Sequence, residues 1–174
     1  MSQQVVIARK IATRVHATQV DKLGNAYIDH PRRVAENAVA FAKAANLTDA
    51  ETVLVEVAAW LHDVIEDSLE ATGSQVTADD LITEGISTDA IQLVTLLSKS
   101  QDIKVTDPDL ERYYAAIAAN PLARLVKLAD ITDNTQPWRV AGLDADARDR
   151  LVSKYQHALE ELNETRKEMS CCRK

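Results

Sequence analysis

Two histidines and two aspartates are the residues of this chain that could together bind a divalent metal ion. His62-Asp63 is an adjacent pair near the end of an apolar segment, whereas His30 precedes a predicted helix and Asp130 lies late in another. Mixed nitrogen and oxygen donors suit Mn²⁺, Fe²⁺ or Zn²⁺ and disfavour a thiolate-type structural zinc site. The pattern therefore predicts one divalent ion bound by these four side chains, and their spacing does not choose among the three metals.

A second acidic pair, Glu66-Asp67, follows His62-Asp63 by one helical turn and completes an H-D-x-x-E-D signature. Residues four apart share a helix face, so both carboxylates could lie beside the metal without ligating it. There they could accept a proton from the attacking water or hold that water in line with phosphorus. Four ionisable groups at the end of an apolar helix are costly to bury without a cation or a function. The signature therefore predicts metal-assisted hydrolysis of a phosphate ester, with Glu66 and Asp67 as catalytic residues.

Composition favours a single helical domain. The 174 residues are enough for one domain with its own core, and a hydrophobic content of 46% comes with only 4 Gly and 4 Pro. Few helix breakers and many helix formers favour an all-α fold. The net charge of -7 argues against a general nucleic-acid binder. An anionic substrate is still compatible, because a bound metal and a few local cations can make a positive pocket.

Helical signals recur along the whole chain, and strand signals are absent. Apolar residues with a period near 3.6, together with capping residues, predict helices at about 3–20, 30–45, 48–67, 77–84, 87–97, 107–119, from 120 through Asp130, and 144–169. The third of these is apolar on nearly every side and should form the buried centre. Because no linker or repeat interrupts the pattern, residues 1–174 are predicted to form a single-domain helical bundle with a polar tail from about 165.

The cysteines and the N-terminal residues bear on the location of the protein. Cys171 and Cys172 are neighbours near the C-terminus, where they make neither a metal-ligand spacing nor a disulfide framework. The first residues form no apolar signal core, and no apolar run approaches about 20 residues. We therefore expect free thiols, no membrane-spanning segment and a reducing, cytoplasmic location.

The ordered motifs of the chain resemble the HD superfamily of metal-dependent phosphohydrolases, and more closely the RelA/SpoT-type small alarmone hydrolases. The match extends over about Ile7 to Tyr155. An H-D pair by itself is weak, but the ordered set is specific. Its motifs are G-N-A-Y-I-D-H-P-R-R-V-A at 24–35, A-W-L-H-D-V-I-E-D at 59–67, L-L-S-K at 96–99 and V-K-L-A-D-I-T-D-N at 126–134. The resemblance implies an HD-type all-α helical bundle.

This resemblance also implies an activity and a role for each site residue. The activity would be removal of pyrophosphate from the ribose 3′ position of guanosine tetra- or pentaphosphate (ppGpp or pppGpp), giving GDP or GTP. The metal, usually Mn²⁺ in the family, would be bound by His30, His62, Asp63 and Asp130, and Glu66 and Asp67 would activate the attacking water. Substrate contacts would come from Lys22 and Lys99 at the phosphates, Asn134 at the sugar or phosphate, and Arg150 and Tyr155 on the last helix.

Three departures from the family pattern concern recognition of the base or the phosphates. Asp21-Lys22 replaces a basic pair whose arginine packs on the guanine, Ile131 replaces an arginine, and Pro137 replaces a small hydroxyl residue. Two other functions therefore stay open. One is a phosphohydrolase of another nucleotide, such as a dinucleotide phosphate or a nucleoside polyphosphate. The other is a metal-stabilised regulatory module without turnover, which has no need of the intact Glu66-Asp67 pair.

Overall fold

The computed structural model describes residues 2–99 and 108–171, with side chains described for 2–99 and 109–163. Its helices are α1 (Gln3–Val15), α2 (Asp29–Ala44), α3 (Asp49–Leu61), α4 (Val64–Thr72), α5 (Ala78–Thr83), α6 (Thr88–Leu97), α7 (Pro108–Ala119), α8 (Pro121–Asn134), α9 (Pro137–Ala141) and α10 (Ala145–Cys171). In these residues the only β-pairing is an isolated antiparallel bridge between Val20 and Ala26. The predicted all-α fold is therefore confirmed.

Helix α3 lies at the centre of the bundle, as its apolar sequence predicts. A capping box fixes its start: the Thr48 hydroxyl accepts from the Glu51 amide at 3.2 Å, and the Glu51 carboxylate accepts from the Thr48 amide at 2.8 Å. Most of the stretch from Val55 to Leu61 is buried, and α3 packs against α1, α2, α6 and α8. The central helix thus delivers the residues that follow it to the middle of the bundle.

The predicted third helix is two helices in the structure. Helix α3 ends at Leu61 and α4 begins at Val64, so His62 and Asp63 form the turn between them, where a continuous helix was predicted. Nδ1 of His62 donates to the Ala59 carbonyl at 2.8 Å, the group that the Asp63 amide would bond in an uninterrupted helix. Adjacent side chains of a regular helix project about 100° apart. The break allows both side chains to face one site.

One further helix boundary and one short helix differ from the sequence prediction. Helix α1 ends at Val15 rather than near Val20, because the Gln19 carbonyl accepts from the Tyr27 amide at 2.9 Å and the chain folds back on itself. Helix α9 was not predicted, because its five residues are too few for a helical period to show. The predicted turn between α1 and α2 is present, with Gly24 at a φ of 81° that favours glycine.

Helix α8 brings the last predicted ligand to the centre of the bundle. The Asn120 side chain caps it by accepting from the amides of Leu122 and Ala123 at 3.0 and 3.1 Å, and Pro121 occupies the first turn. Because α8 packs against both α2 and α3, its residue Asp130 reaches the ends of those two helices.

The final helix, α10, continues to Cys171, slightly beyond its predicted end at 169. The polar tail and the free thiols predicted there concern side chains that lie outside the described residues. None of the described helices is both long and apolar enough to cross a membrane. The cytoplasmic location stays a prediction.

Candidate metal and catalytic site

The four predicted ligands meet where α2, α8 and the turn between α3 and α4 come together. Nε2 of His30 lies 3.4 Å from Oδ1 of Asp130 and 3.7 Å from Oδ2 of Asp63. Nε2 of His62 lies 3.0 Å from Oδ2 of Asp63 and 3.9 Å from Oδ1 of Asp130. His30, His62 and Asp130 are buried, and one ligand atom from each lies within 4.8 Å of the others. These four residues are called the donor cluster below.

The donor cluster fits a divalent cation. Two donor atoms about 2.1 Å from one ion and about 90–110° apart are separated by about 3.0–3.4 Å, which is close to the distances found here. Nδ1 of His62 donates to a carbonyl, so Nε2 of the neutral ring carries a lone pair. That Nε2 is buried without a hydrogen-bond partner among the described residues. A buried ring nitrogen beside two carboxylates favours a positive charge at this position, which either a proton or a metal cation would supply.

The charges of the donor cluster are strongly coupled to one another. Burial disfavours the imidazolium of His62, but the charge and hydrogen bond of Asp63, the charge of Asp130 and the Ala59 carbonyl together raise the pKa of His62 to about 9. Burial also opposes ionisation of Asp130, yet the ammonium of Lys127 holds the pKa of that carboxyl well below its usual range. The carboxylates are thus ionised and the imidazoles attract protons. A metal ion would compete for the same lone pairs, so its binding should release protons.

A further buried carboxylate, Asp133, orients His30. Its Oδ2 accepts from Nδ1 of His30 at 2.7 Å, which leaves Nε2 for the donor cluster. Arg33 and Arg139 balance its charge from 2.5 and 3.1 Å, and only 1% of its surface is exposed. The sequence analysis assigned no role to these three residues. The one signal for Asp133 was its position three residues after Asp130, on the same face of α8.

Neighbouring side chains also form hydrogen bonds to the two carboxylates of the donor cluster, those of Asp63 and Asp130. The Tyr27 hydroxyl donates to Oδ2 of Asp63 at 2.6 Å. Asp130 accepts from Nζ of Lys127 at 2.9 Å and from Nδ2 of Asn134 at 2.5 Å. Asn134 was predicted to contact the substrate, and in the structure it contacts a ligand carboxylate, so its substrate role stays a prediction. No role was predicted from the sequence for Tyr27 or Lys127, although each lies three residues before a predicted ligand.

Glu66 and Asp67 lie half-buried in the first turn of α4. Oε2 of Glu66 accepts from the Lys99 amide at 3.1 Å, and Oδ2 of Asp67 accepts from the Gln19 side-chain amide at 3.0 Å. Burial raises the pKa of both carboxyls, and the negative charge of Asp63 raises it further. A carboxylate with a raised pKa is a better proton acceptor near neutral pH, so this pair suits general base catalysis.

The predicted substrate residues differ in how closely the structure ties them to the site. Lys99 is half-buried and joined to Glu66 through its amide. Tyr155 is buried, and burial together with the charge of Asp130 raises its pKa, so it lies within electrostatic reach of the donor cluster. Lys22 and Arg150 are exposed. The substrate roles of all four stay predictions.

The side chain of Asp21 shapes its own loop. Its Oδ1 accepts from two backbone amides of that loop, both at 2.9 Å, and Arg139 lies 3.9 Å from its other oxygen. Arg139 also flanks the exposed ring of Trp138, with Arg33 as the second neighbour; the two guanidinium carbons lie 5.6 and 5.1 Å from the ring centre. An aromatic surface, 48% exposed, therefore stands near the loop whose predicted stacking cation is missing.

Comparisons with known proteins extend this picture. A family model described as HD domain matches residues 27–135, a segment that contains the whole donor cluster. A solved structure, described as a metazoan ortholog of SpoT that hydrolyses ppGpp and plays a role in starvation responses, is similar to this chain at 23% identity with a TM-score of 0.71. The similarity covers 95% of this chain and 88% of that chain and shows a common fold. No curated protein sequence matches the chain.

Proposed function

Because the chain belongs to the HD domain family, we propose that it is a metal-dependent phosphohydrolase that removes the 3′-pyrophosphate of guanosine tetra- or pentaphosphate. The observation that carries this proposal is the donor cluster, followed directly by a helix that bears Glu66 and Asp67 half-buried in its first turn. The common fold with the metazoan SpoT ortholog, described as hydrolysing ppGpp, supports the choice of substrate.

One divalent ion, with Mn²⁺ as the first candidate, is assigned to the donor cluster. When bound, such an ion polarises a phosphoryl oxygen and lowers the pKa of a water molecule. His62 and His30 offer Nε2 because the Ala59 carbonyl and Asp133 engage the opposite ring nitrogens. Hydrogen bonds likewise fix the two ligand carboxylates, so the ligands are oriented before an ion arrives.

Glu66 and Asp67 are assigned to the attacking water. In the proposed step, water attacks the phosphorus next to the ribose 3′ oxygen, the bond from phosphorus to that oxygen breaks, and a carboxylate accepts a proton of the water. The leaving 3′ oxygen takes up a proton to become the 3′-hydroxyl, so the carboxylate is free for the next turnover. The products are GDP or GTP and intact pyrophosphate. The raised pKa of each carboxyl suits this task.

A substrate panel tests the proposal. Purified protein with Mn²⁺ is given ppGpp, other nucleoside polyphosphates and dinucleotide phosphates, with separate assays for orthophosphate and pyrophosphate. We expect ppGpp to yield GDP and pyrophosphate in equal amounts. Release of two orthophosphates would contradict the assigned cleavage site, and preferred turnover of another nucleotide would favour the second enzymatic function. Binding without turnover of any nucleotide would favour the regulatory module.

Replacement of Lys22 by Ala should raise KM more than it lowers kcat. Lys22 is exposed on the loop before α2, and a contact to remote phosphates stabilises the bound substrate and the transition state about equally. Lys43→Ala is the matched control, because Lys43 is exposed at the opposite end of α2 from His30. An unchanged KM in the Lys22 variant would remove that residue from the substrate site.

Discrimination between guanine and adenine should be weaker than in the alarmone hydrolases that the chain resembles. Asp21 stands where the family has an arginine that packs on the guanine. Its carboxylate accepts hydrogen bonds from its own loop and offers no cation for such packing. The test compares kcat/KM for the guanosine and adenosine 3′-pyrophosphates. A guanine preference above roughly a hundredfold, worth about 2.7 kcal/mol, would show that other residues read the base. Trp138, with its exposed ring, would then be the first residue to replace.

A further inference from the structure

A chain of three side chains joins the end of α1 to the start of α4. Nδ1 of His16 lies 2.6 Å from Oε1 of Gln19, and Nε2 of Gln19 donates to Oδ2 of Asp67 at 3.0 Å. His16, which is 1% exposed, is the end of this hydrogen-bonded series farther from Asp67, and it is buried in the core. Its ring also packs against Tyr27, 4.9 Å between ring centres, and Tyr27 holds a residue of the donor cluster.

The direction of each hydrogen bond follows from the chemistry of the groups. A carboxylate can only accept, so the Gln19 amide must present its nitrogen to Asp67 and its carbonyl oxygen to His16. That oxygen can only accept, so His16 must carry its proton on Nδ1. The amide of Gln19 is therefore fixed in one of its two orientations by a histidine that does not itself reach Asp67.

We propose that Gln19 is a positioning residue for Asp67 and that His16 fixes Gln19 in the orientation this requires. By binding Oδ2, Gln19 sets the rotation of the carboxylate and leaves Oδ1 to accept from the attacking water. The inference rests on the proposed catalytic role of Asp67. It assigns a positioning role to two residues, Gln19 and His16, that lie outside the H-D-x-x-E-D signature.

The choice of an amide for this position has a physical reason. A lysine or arginine at this distance would bind Asp67 as firmly, but its positive charge would lower the pKa of the carboxyl and weaken it as a base. Gln19 supplies a directed donor without that charge. The carboxyl pKa stays raised by burial and by Asp63 even with the hydrogen bond in place.

The test measures kcat, KM, metal content and thermal unfolding for Gln19→Leu. We expect kcat to fall about tenfold to a hundredfold, as for a misplaced catalytic group, with KM and metal content unchanged. Gln75→Leu is the matched control, because the Gln75 amide also donates into α4, to the Ile65 carbonyl at 2.6 Å, without touching Asp67. A loss of kcat as large in the control would overturn the inference, since any weakening of α4 would then suffice.

A double variant separates positioning from general support. If Gln19 acts through Asp67, Gln19→Leu should cause no further loss of kcat when Asp67 is already Asn. A further loss of the same size in that background would overturn the inference. Gln19→Glu serves where the leucine variant does not fold, because an ionised glutamate keeps the size and the acceptor toward His16 but cannot donate to Asp67. Wild-type kcat in this variant, at a pH where both carboxyls are ionised, would also overturn the inference. Wild-type activity of Asp67→Asn alone would instead contradict the proposed function.

Discussion

Replacement of Glu66 by Gln, or of Asp67 by Asn, should lower kcat by about 10²–10⁴-fold, the usual contribution of a general base. Both variants should keep the metal and the fold. The four donor atoms belong to other residues. The amide oxygen of each replacement can still accept the hydrogen bond that Lys99 or Gln19 now donates. Each replacement removes the negative charge of the carboxylate and with it the ability to take a proton.

The matched control for these two variants is Glu70→Gln. Glu70 lies on the same helix as the proposed catalytic pair but is exposed to solvent, so the same loss of charge there should leave turnover unchanged. Metal content and the thermal unfolding midpoint are measured alongside kcat for all three proteins. If both site variants turned over substrate as fast as Glu70→Gln, the pair would be ordinary charges at the start of a helix, where the helix dipole favours them.

Local sequence signals predict most of the helices of this fold. Thr48 and Glu51 mark the start of the central helix, and Asn120-Pro121 marks the start of α8, because caps are properties of a few adjacent residues. The break at His62 follows instead from a side chain that occupies the Ala59 carbonyl in place of the backbone. No periodicity in the sequence reports such a bond, and the predicted helix therefore ran on to Asp67.

The four residues of the donor cluster could be named from the sequence, but the residues that support them could not. Asp130 and Asp133 lie three apart on one helix face, and both are buried aspartates that contact His30. The one that belongs to the donor cluster is the one that contacts Nε2 of His30, whereas the other contacts Nδ1. The packing of α8 against α2 decides which aspartate contacts which nitrogen. Tyr27 has no chemical signature of its own in the sequence until Asp63 is placed beside it.

Three half-buried cations of the site are paired with its own carboxylates. Arg33 and Arg139 bind Asp133, and Lys127 binds Asp130. These cations keep buried carboxylates ionised, which a metal site requires. An anionic substrate that approaches a chain of net charge -7 therefore depends on a bound metal and on other cations for attraction. For this reason exposed Lys22, rather than Arg33, Arg139 or Lys127, is the cation to replace in a test of substrate binding.

Replacement of Asp130 by Ala should destabilise the domain more than any surface change, even without metal. The Lys127 side chain is 15% exposed, and Asp130 is its hydrogen-bonded partner at 2.9 Å. Removal of one partner of a buried ion pair typically costs about 3–5 kcal/mol, because the other charge is left unpaired. Urea unfolding in the presence of a chelator measures this cost without any contribution from metal binding. Glu84→Ala, which breaks the exposed pair with Arg14, is the control and should cost less than about 1 kcal/mol.

The double variant Asp130→Ala with Lys127→Met should recover much of the lost stability. Methionine fills a similar volume without a charge, so no unpaired ammonium is left in the core. Turnover should stay absent in both variants, because the carboxylate assigned to the metal is missing from each. Recovered stability without recovered activity would separate the two tasks of Asp130, which are to balance Lys127 and to bind the ion. A double variant as unstable as Asp130→Ala alone would show that the buried charge of Lys127 is not the source of the cost.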